Sequence, residues 1–297
     1  MSEATLVFEL FGHAALADDI ARRCGMARGR LLLRRFPDEE SYLRYDDDVA
    51  ERHVVLVSNL GRPDPRIPAL VFAAATAKEL GARTVTLVAP YLPYMRQDHR
   101  FNAGEAITSR IFAHVLSNHI DGLVTMDPHL HRYHSLSQIY NVPSEIAAAA
   151  PAVAQWITAN VPDAFVLGPD AESEQWVSAV ANLARVPWCV SQKTRNGDRD
   201  VAVAVPELTA WRNRTPVILD DIISSGSTMM EAVRHLRAAA LPAPVCVGVH
   251  AVFAGDAHEA LLAAGARAVV TTDTLPHPTN AISTAPLLAD ALRRLRT

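Results

Sequence analysis

The sequence predicts an α/β protein of two similar domains, each a mostly parallel sheet flanked by helices. Apolar runs of strand length alternate with helix-length amphipathic stretches, the alternation occurs in both halves of the 297 residues, and the halves share a closing pattern. A chain of this length has room for two ordinary domains, each able to bury a core.

In chain order, HVVLVSN (53–59) reads as a strand, IPALVFAAATAKELGA (67–82) as a helix and RTVTLVAPY (83–91) as the next strand. NVPSEIAAAAPAVAQWITANVPDAFVLG (141–168) follows, with Pro143, Pro151 and Pro162 punctuating helices before a strand that ends at Leu167. This places the domain boundary near residue 145, with residues 1–145 and 146–297 as the two domains and the last helix, PLLADALRRLRT, packing back on the first. TPVILDD (215–221) then leads into STMMEAVRHLRAAA (227–240), whose Met229, Val233, Leu236 and Ala240 mark one helical face, and into APVCVGVHAVF (243–253). DGLVTMDPH (121–129) and ARAVVTTDTLPH (266–277) both run from a strand into Asp and then Pro-His, which suggests an internal duplication. The interval from Val54 to Asp127 exceeds that from Val217 to Asp273, and the excess falls around 96–110.

Charged residues are 20% of the chain and apolar ones 49%, so enough apolar surface exists to offset the ordering entropy of folding. A net charge of −4 argues against a broad nucleic-acid-binding surface. Cys24, Cys189 and Cys246 are odd in number and far apart, so neither a disulfide framework nor a cysteine-rich metal site is expected, and a reducing cytoplasm fits. No apolar run is long enough to span a membrane, and no basic stretch leads into a signal-like core.

VILDDIISSGSTMMEAV (217–233) is the most informative stretch: an apolar strand, two carboxylates, a loop of small residues and a helix. Ser224, Ser225, Gly226, Ser227 and Thr228 would present backbone N–H groups and hydroxyls at a helix N-terminus, which suits a phosphate monoester. Asp220 and Asp221 are suited to vicinal sugar hydroxyls or, through water, to Mg²⁺. No lysine follows the glycine, so this is not a Walker A loop. His129 and His131 in HLHRYH have H-x-H spacing, but no downstream ligand set completes a zinc site.

The motif resembles the phosphoribosyl-pyrophosphate loop of type I phosphoribosyltransferases. That resemblance implies type I phosphoribosyltransferase-like domains, with the loop on a ribose 5-phosphate 5-phosphate and Asp220 and Asp221 near the 2- and 3-hydroxyls. FPDEE (36–40), PYLPYMRQDHRFNAGEAIT (90–108), TMDPH (125–129), GPDAES (168–173) and SQKTR (191–195) occur in the order found in ribose-phosphate diphosphokinases, the phosphoribosyl pyrophosphate synthetase family. Ser224, where bacterial members commonly carry a third acid, is closer to the archaeal type.

Residue by residue, the resemblance implies ATP contacts from Phe36, Asp38, Glu39 and Glu40 of the acidic turn and from Arg96 and Gln97. It implies Mg²⁺ at His129 and Asp170, and phosphoryl contacts from Lys193 and Arg195 in a polar segment that otherwise reads as an exposed turn. It further implies ATP and ribose 5-phosphate as substrates, a cytoplasmic homo-oligomer, and no nucleic-acid or membrane partner. Glu39, Glu172 and Ser173 stand where the family commonly has glycine, and their bulk is expected to alter the approach of the backbone to a phosphate. Two other readings of the same residues are a base phosphoribosyltransferase and a catalytically silent ribose-phosphate-binding regulator.

Overall fold

The computed structural model describes residues 5–196, 200–204 and 208–295. The chain divides into two compact units, Met1–Ala148 with Thr274–Pro276 and Thr284–Thr297, and Ala149–Asp273 with His277–Ser283. The first unit therefore takes two short segments from the far end of the chain, the longer of which carries the last helix.

The first unit contains β1 (Thr5–Leu10), α1 (Ala14–Cys24), β2 (Ala27–Arg28), β3 (Leu31–Arg35), β4 (Ser41–Tyr45), β5 (His53–Ser58), α2 (Ile67–Glu79), β6 (Thr84–Ala89), α3 (Thr108–Ser117), β7 (Gly122–Met126) and β8 (Ser144–Ala147). The second contains α4 (Ala150–Asn160), β9 (Ala164–Gly168), α5 (Glu174–Ala184), β10 (Trp188–Val190), β11 (Gln192–Asn196), β12 (Asp200–Ala204), β13 (Thr215–Ile223), α6 (Ser227–Ala238), β14 (Val245–Ala251), α7 (Ala257–Ala263), β15 (Ala268–Thr272) and β16 (Asn280–Ile282). The final helix, α8 (Ala285–Leu295), returns to the first unit.

Each unit is built on a six-stranded sheet, ordered β2-β1-β5-β6-β7-β8 in the first and β10-β9-β13-β14-β15-β16 in the second. Every pairing within these two sheets is parallel. Both orders are the same, and in both an antiparallel hairpin, β3–β4 or β11–β12, is inserted at the same point before the third strand of the sheet. The duplication suggested by the sequence is thus a shared topology. The excess of the first half lies in the long connection from β6 to α3, which spans residues 90–107.

Central strands buried on both faces read as continuous Val/Leu/Ile runs, and β5 and β6 are of this kind. Their side chains meet those of the helices in one core per unit, around Phe8, Leu56, Leu70, Leu87 and Phe112 in the first and Phe165, Ile218, Leu236, Cys246 and Leu261 in the second. Tyr45 seals the first core by lying edge-on to Phe8 at 4.8 Å and donating its hydroxyl to the Ala73 carbonyl at 2.8 Å. The α8 helix buries Leu288, Ala289, Ala291 and Leu292 and packs on α1 and β8, while α4 packs on α5 and β16. Arg293 donates to the Arg23 carbonyl at 2.8 Å, and Arg294 pairs with Glu145 at 3.0 Å.

Candidate active site

In an open parallel sheet, ligands gather where neighbouring strands lead off in opposite directions, at the carboxyl ends. In the second unit that point lies between β9 and β13, and the sequence motifs GPDAES and DDIISSGST both arrive there. The acid pair does not end its strand: β13 pairs with β14 through Ile223, because Ile222 and Ile223 continue the apolar ladder opposite His250 and Ala251. Asp220 and Asp221 therefore stand on regular strand backbone, and the Asp221 N–H donates to the Asp220 carboxylate at 3.0 Å. The small Gly248 on β14 leaves room for Ile223, since a Cβ at Gly248 would fall 2.6 Å from that side chain.

After β13 the backbone turns through Gly226, whose φ of +68° suits glycine, and its carbonyl accepts the Met230 N–H at 2.8 Å to close the first turn of α6. Leu261 of α7 lies beneath Gly226, and the Ala254 N–H donates to the Ser224 carbonyl at 3.1 Å, so the loop is anchored from below. Ser225 and Ser227 are exposed and their hydroxyls lie 3.1 Å apart. Two hydroxyls thus lie close together at the N-terminal end of α6, a setting that suits a phosphate.

Asp170 follows β9 in a tight turn. The Ser173 hydroxyl donates to the Asp170 carbonyl at 2.6 Å and the Ser173 N–H reaches the Asp170 carboxylate at 3.3 Å. Gly168 leaves room for the Ser173 side chain, since a Cβ at Gly168 would fall 2.3 Å from its hydroxyl. Burial first, and then the neighbouring Asp221 and Asp170 charges, push the Asp220 carboxyl up to about 8. Such crowding of acids suits a hard cation or sugar hydroxyls. Among the described residues no three His, Cys, Asp or Glu side chains form a direct metal cage.

In the first unit, FPDEE forms the tip of the β3–β4 hairpin. Glu39 takes φ +70°, donates its N–H to the Phe36 carbonyl at 2.9 Å and pairs with Arg35 at 2.9 Å, so the turn keeps the shape a glycine would favour despite the side chain. Phe36, Asp38, Glu39 and Glu40 are exposed there, with Arg34 stacked over both the Phe36 and Tyr42 rings at 4.6 and 4.2 Å. Arg96 is exposed and Gln97 accepts a hydrogen bond from the Thr108 hydroxyl at 3.4 Å. His129 lies in the loop after β7, its ring 6.4 Å from that of His131.

Sequence reasoning missed Asp98 and Arg132. Asp98 is buried and accepts from Arg132 at 2.8 Å, joining the RQD segment to the loop that carries His129. No local signal links residues so far apart. Lys193 and Arg195 lie on β11, a strand and not a turn, facing Val203 and Val201 of β12 in the register. Their side chains lie outside the described ones, as does that of Glu172.

Residues 5–119 match the N-terminal domain of ribose phosphate pyrophosphokinase, and residues 135–285 match the phosphoribosyl transferase domain. A ribose-phosphate pyrophosphokinase of Methanopyrus kandleri is 33% identical over 88% of this chain and 89% of its own. The chain belongs to the ribose-phosphate pyrophosphokinase family. The family member of Halobacterium salinarum is 32% identical over 94% of this chain and 97% of its own. Phosphoribosylpyrophosphate synthetase of Mycobacterium smegmatis superposes with a TM-score of 0.85 at 25% identity, over 99% of both chains. These relatives are enzymes, and membership of the family carries the two-domain α/β fold predicted from the sequence. No helix among the described residues is long and apolar enough to cross a membrane.

Proposed function

We propose that the protein transfers the β,γ-diphosphoryl group of ATP to the 1-hydroxyl of ribose 5-phosphate, giving 5-phosphoribosyl 1-pyrophosphate and AMP. The observation that carries this reading is the Ser224–Thr228 loop beside Asp220, Asp221 and Asp170, in a chain whose two halves both match the family. The loop takes the 5-phosphate, and Asp220 and Asp221 accept hydrogen bonds from the 2- and 3-hydroxyls. The sugar 1-oxygen attacks the β-phosphorus, the bond from that phosphorus to the α,β-bridging oxygen breaks, AMP leaves, and the hydroxyl proton passes to solvent.

Phosphoryl transfer of this kind needs positioning and charge neutralisation and no covalent enzyme intermediate. Lys193, Arg195 and Arg96 supply positive charge, Gln97 a polar contact to the ATP, and Phe36 with Asp38, Glu39 and Glu40 the face for its base. The crowding of Asp170 with Asp220 and Asp221 suits a hard cation, and Asp170 and His129 would hold Mg²⁺, which when bound would neutralise phosphate charge. The enzyme works in the cytoplasm as a homo-oligomer.

The test is ³¹P NMR of the full chain with ATP, Mg²⁺ and ribose 5-phosphate, repeated with Lys193→Ala. AMP and a sugar diphosphate signal should appear together and be largely lost in the variant. ADP with a sugar bisphosphate, or no turnover at all, would overturn the reading.

A further inference from the structure

Because the two units share one strand order, the rim between β1 and β5 is the first unit's counterpart of the rim between β9 and β13. In the second unit that rim carries the acid pair and the phosphate loop. In the first, the loop after β5 carries two arginines, Arg62 and Arg66, and α2 starts directly behind them. Arg66 is half-buried: its Nη1 donates to the Asn59 carbonyl at 2.7 Å, and its guanidinium lies 5.6 Å from the centre of the Phe11 ring. Asn59 braces both walls, donating to the Phe11 carbonyl at 3.1 Å and accepting the Gly61 N–H at 3.0 Å. Arg62 is exposed on left-handed backbone of φ +51°. Burial and the adjacent Arg62 charge hold the Arg66 guanidinium below its ordinary value.

The acids nearby are engaged elsewhere. Asp64 accepts from the Tyr94 hydroxyl at 2.5 Å, Glu9 accepts the His13 N–H at 2.7 Å, and Glu39 pairs with Arg35. Among the described residues no ion pair reaches Arg62 or Arg66. Two neighbouring cations at the positive end of a helix repel each other and the helix dipole, and an anion relieves both costs. We propose that Arg62 and Arg66 form a second phosphate site, gripping a phosphate group with their two guanidinium forks at the first unit's own strand divergence. The ligand chemistry is a phosphate group, either free or at the end of a nucleotide.

Equilibrium dialysis of labelled inorganic phosphate against the full chain tests this, with ribose 5-phosphate at saturation to fill the Ser224–Thr228 loop. A single phosphate should remain bound, and Arg62→Gln should weaken it about tenfold or more, the worth of one charge-assisted hydrogen bond. Arg66→Lys, which keeps charge and stem but loses the fork, should weaken it in the same direction. Thermal unfolding without phosphate should be no lower in Arg62→Gln, and raised to the extent that the charge repulsion is relieved, which separates lost binding from lost folding. Phosphate retention equal in wild type and Arg62→Gln, or no retention, overturns the site. Failure of ribose 5-phosphate to displace any phosphate from wild type would count instead against the loop reading, and the Arg62→Gln comparison is then made without the sugar. Addition of ATP divides the sources: displacement of the retained phosphate assigns the arginines to a nucleotide's terminal phosphates, and persistence assigns them to the free anion.

Discussion

Asp220 couples the site to pH through its own carboxyl. Its ordinary value of 3.8 applies to the unfolded chain, and in the folded protein burial with Asp221 and Asp170 raises it to about 8. Between those values the native state holds a proton that the unfolded state has lost, so this group's contribution to stability falls as pH rises from about 4 to about 8 and is flat above. In chelator, urea midpoints of wild type should therefore decline with pH more steeply than those of Asp220→Asn across that window; parallel curves would count against it. Gly248→Ala acts on the same rim by packing, since the new methyl meets Ile223. It should cost about 1–3 kcal/mol of stability in urea and weaken ribose 5-phosphate binding in calorimetry, because Ile223 lies between the acids and the loop. The acid pair and the Ser/Gly/Thr loop were legible because they form one contiguous run. The approach of Asp170 to Asp220 was not, because it depends on the β9–β13 register, which no local pattern encodes.

Helix ends show how element stability is distributed. The α1 helix ends on Gly25 at φ +61°, with the Met26 N–H returning to the Ala21 carbonyl at 2.9 Å; α5 ends the same way on Arg185 at φ +57°, with the Val186 N–H on the Ala181 carbonyl at 3.0 Å. The exposed Arg185 bears a steric cost that glycine avoids, so Arg185→Gly should raise the unfolding free energy measured in urea by about 1 kcal/mol, and Gly25→Ala should lower it by a similar amount. The main strands and helices were legible from their periodicity. The hairpins were not: SQKTR reads as a polar turn, and only the antiparallel register of β11 with β12 makes it a strand. The matching position of β3–β4 and β11–β12 sets FPDEE and the KTR segment as equivalent insertions in the two units, a relation their unlike sequences conceal.

At the scale of the molecule, the two halves exchange their terminal helices. The helix after β8, α4, belongs to the second unit, and the helix after β16, α8, belongs to the first. The boundary near residue 145 and the return of the last helix to the first domain were expected from the sequence, whereas the short segment Thr274–Pro276 carries no local sign of its unit. Deleting residues 284–297 should thus destabilise the far end of the chain's opposite half: hydrogen exchange should speed up in α1, β7 and β8, with α5 and β9 little changed. Uniform loss of protection across both sheets would contradict this. During synthesis the same crossing imposes a delay. The first sheet leaves the ribosome early, yet the helix that covers it arrives only after roughly 150 further residues, about ten to thirty seconds later at ordinary elongation rates. Over that interval its apolar flank at α1 and β8 must be tolerated by the nascent chain or shielded by a chaperone, so the steps most exposed to aggregation come before the last helix is made.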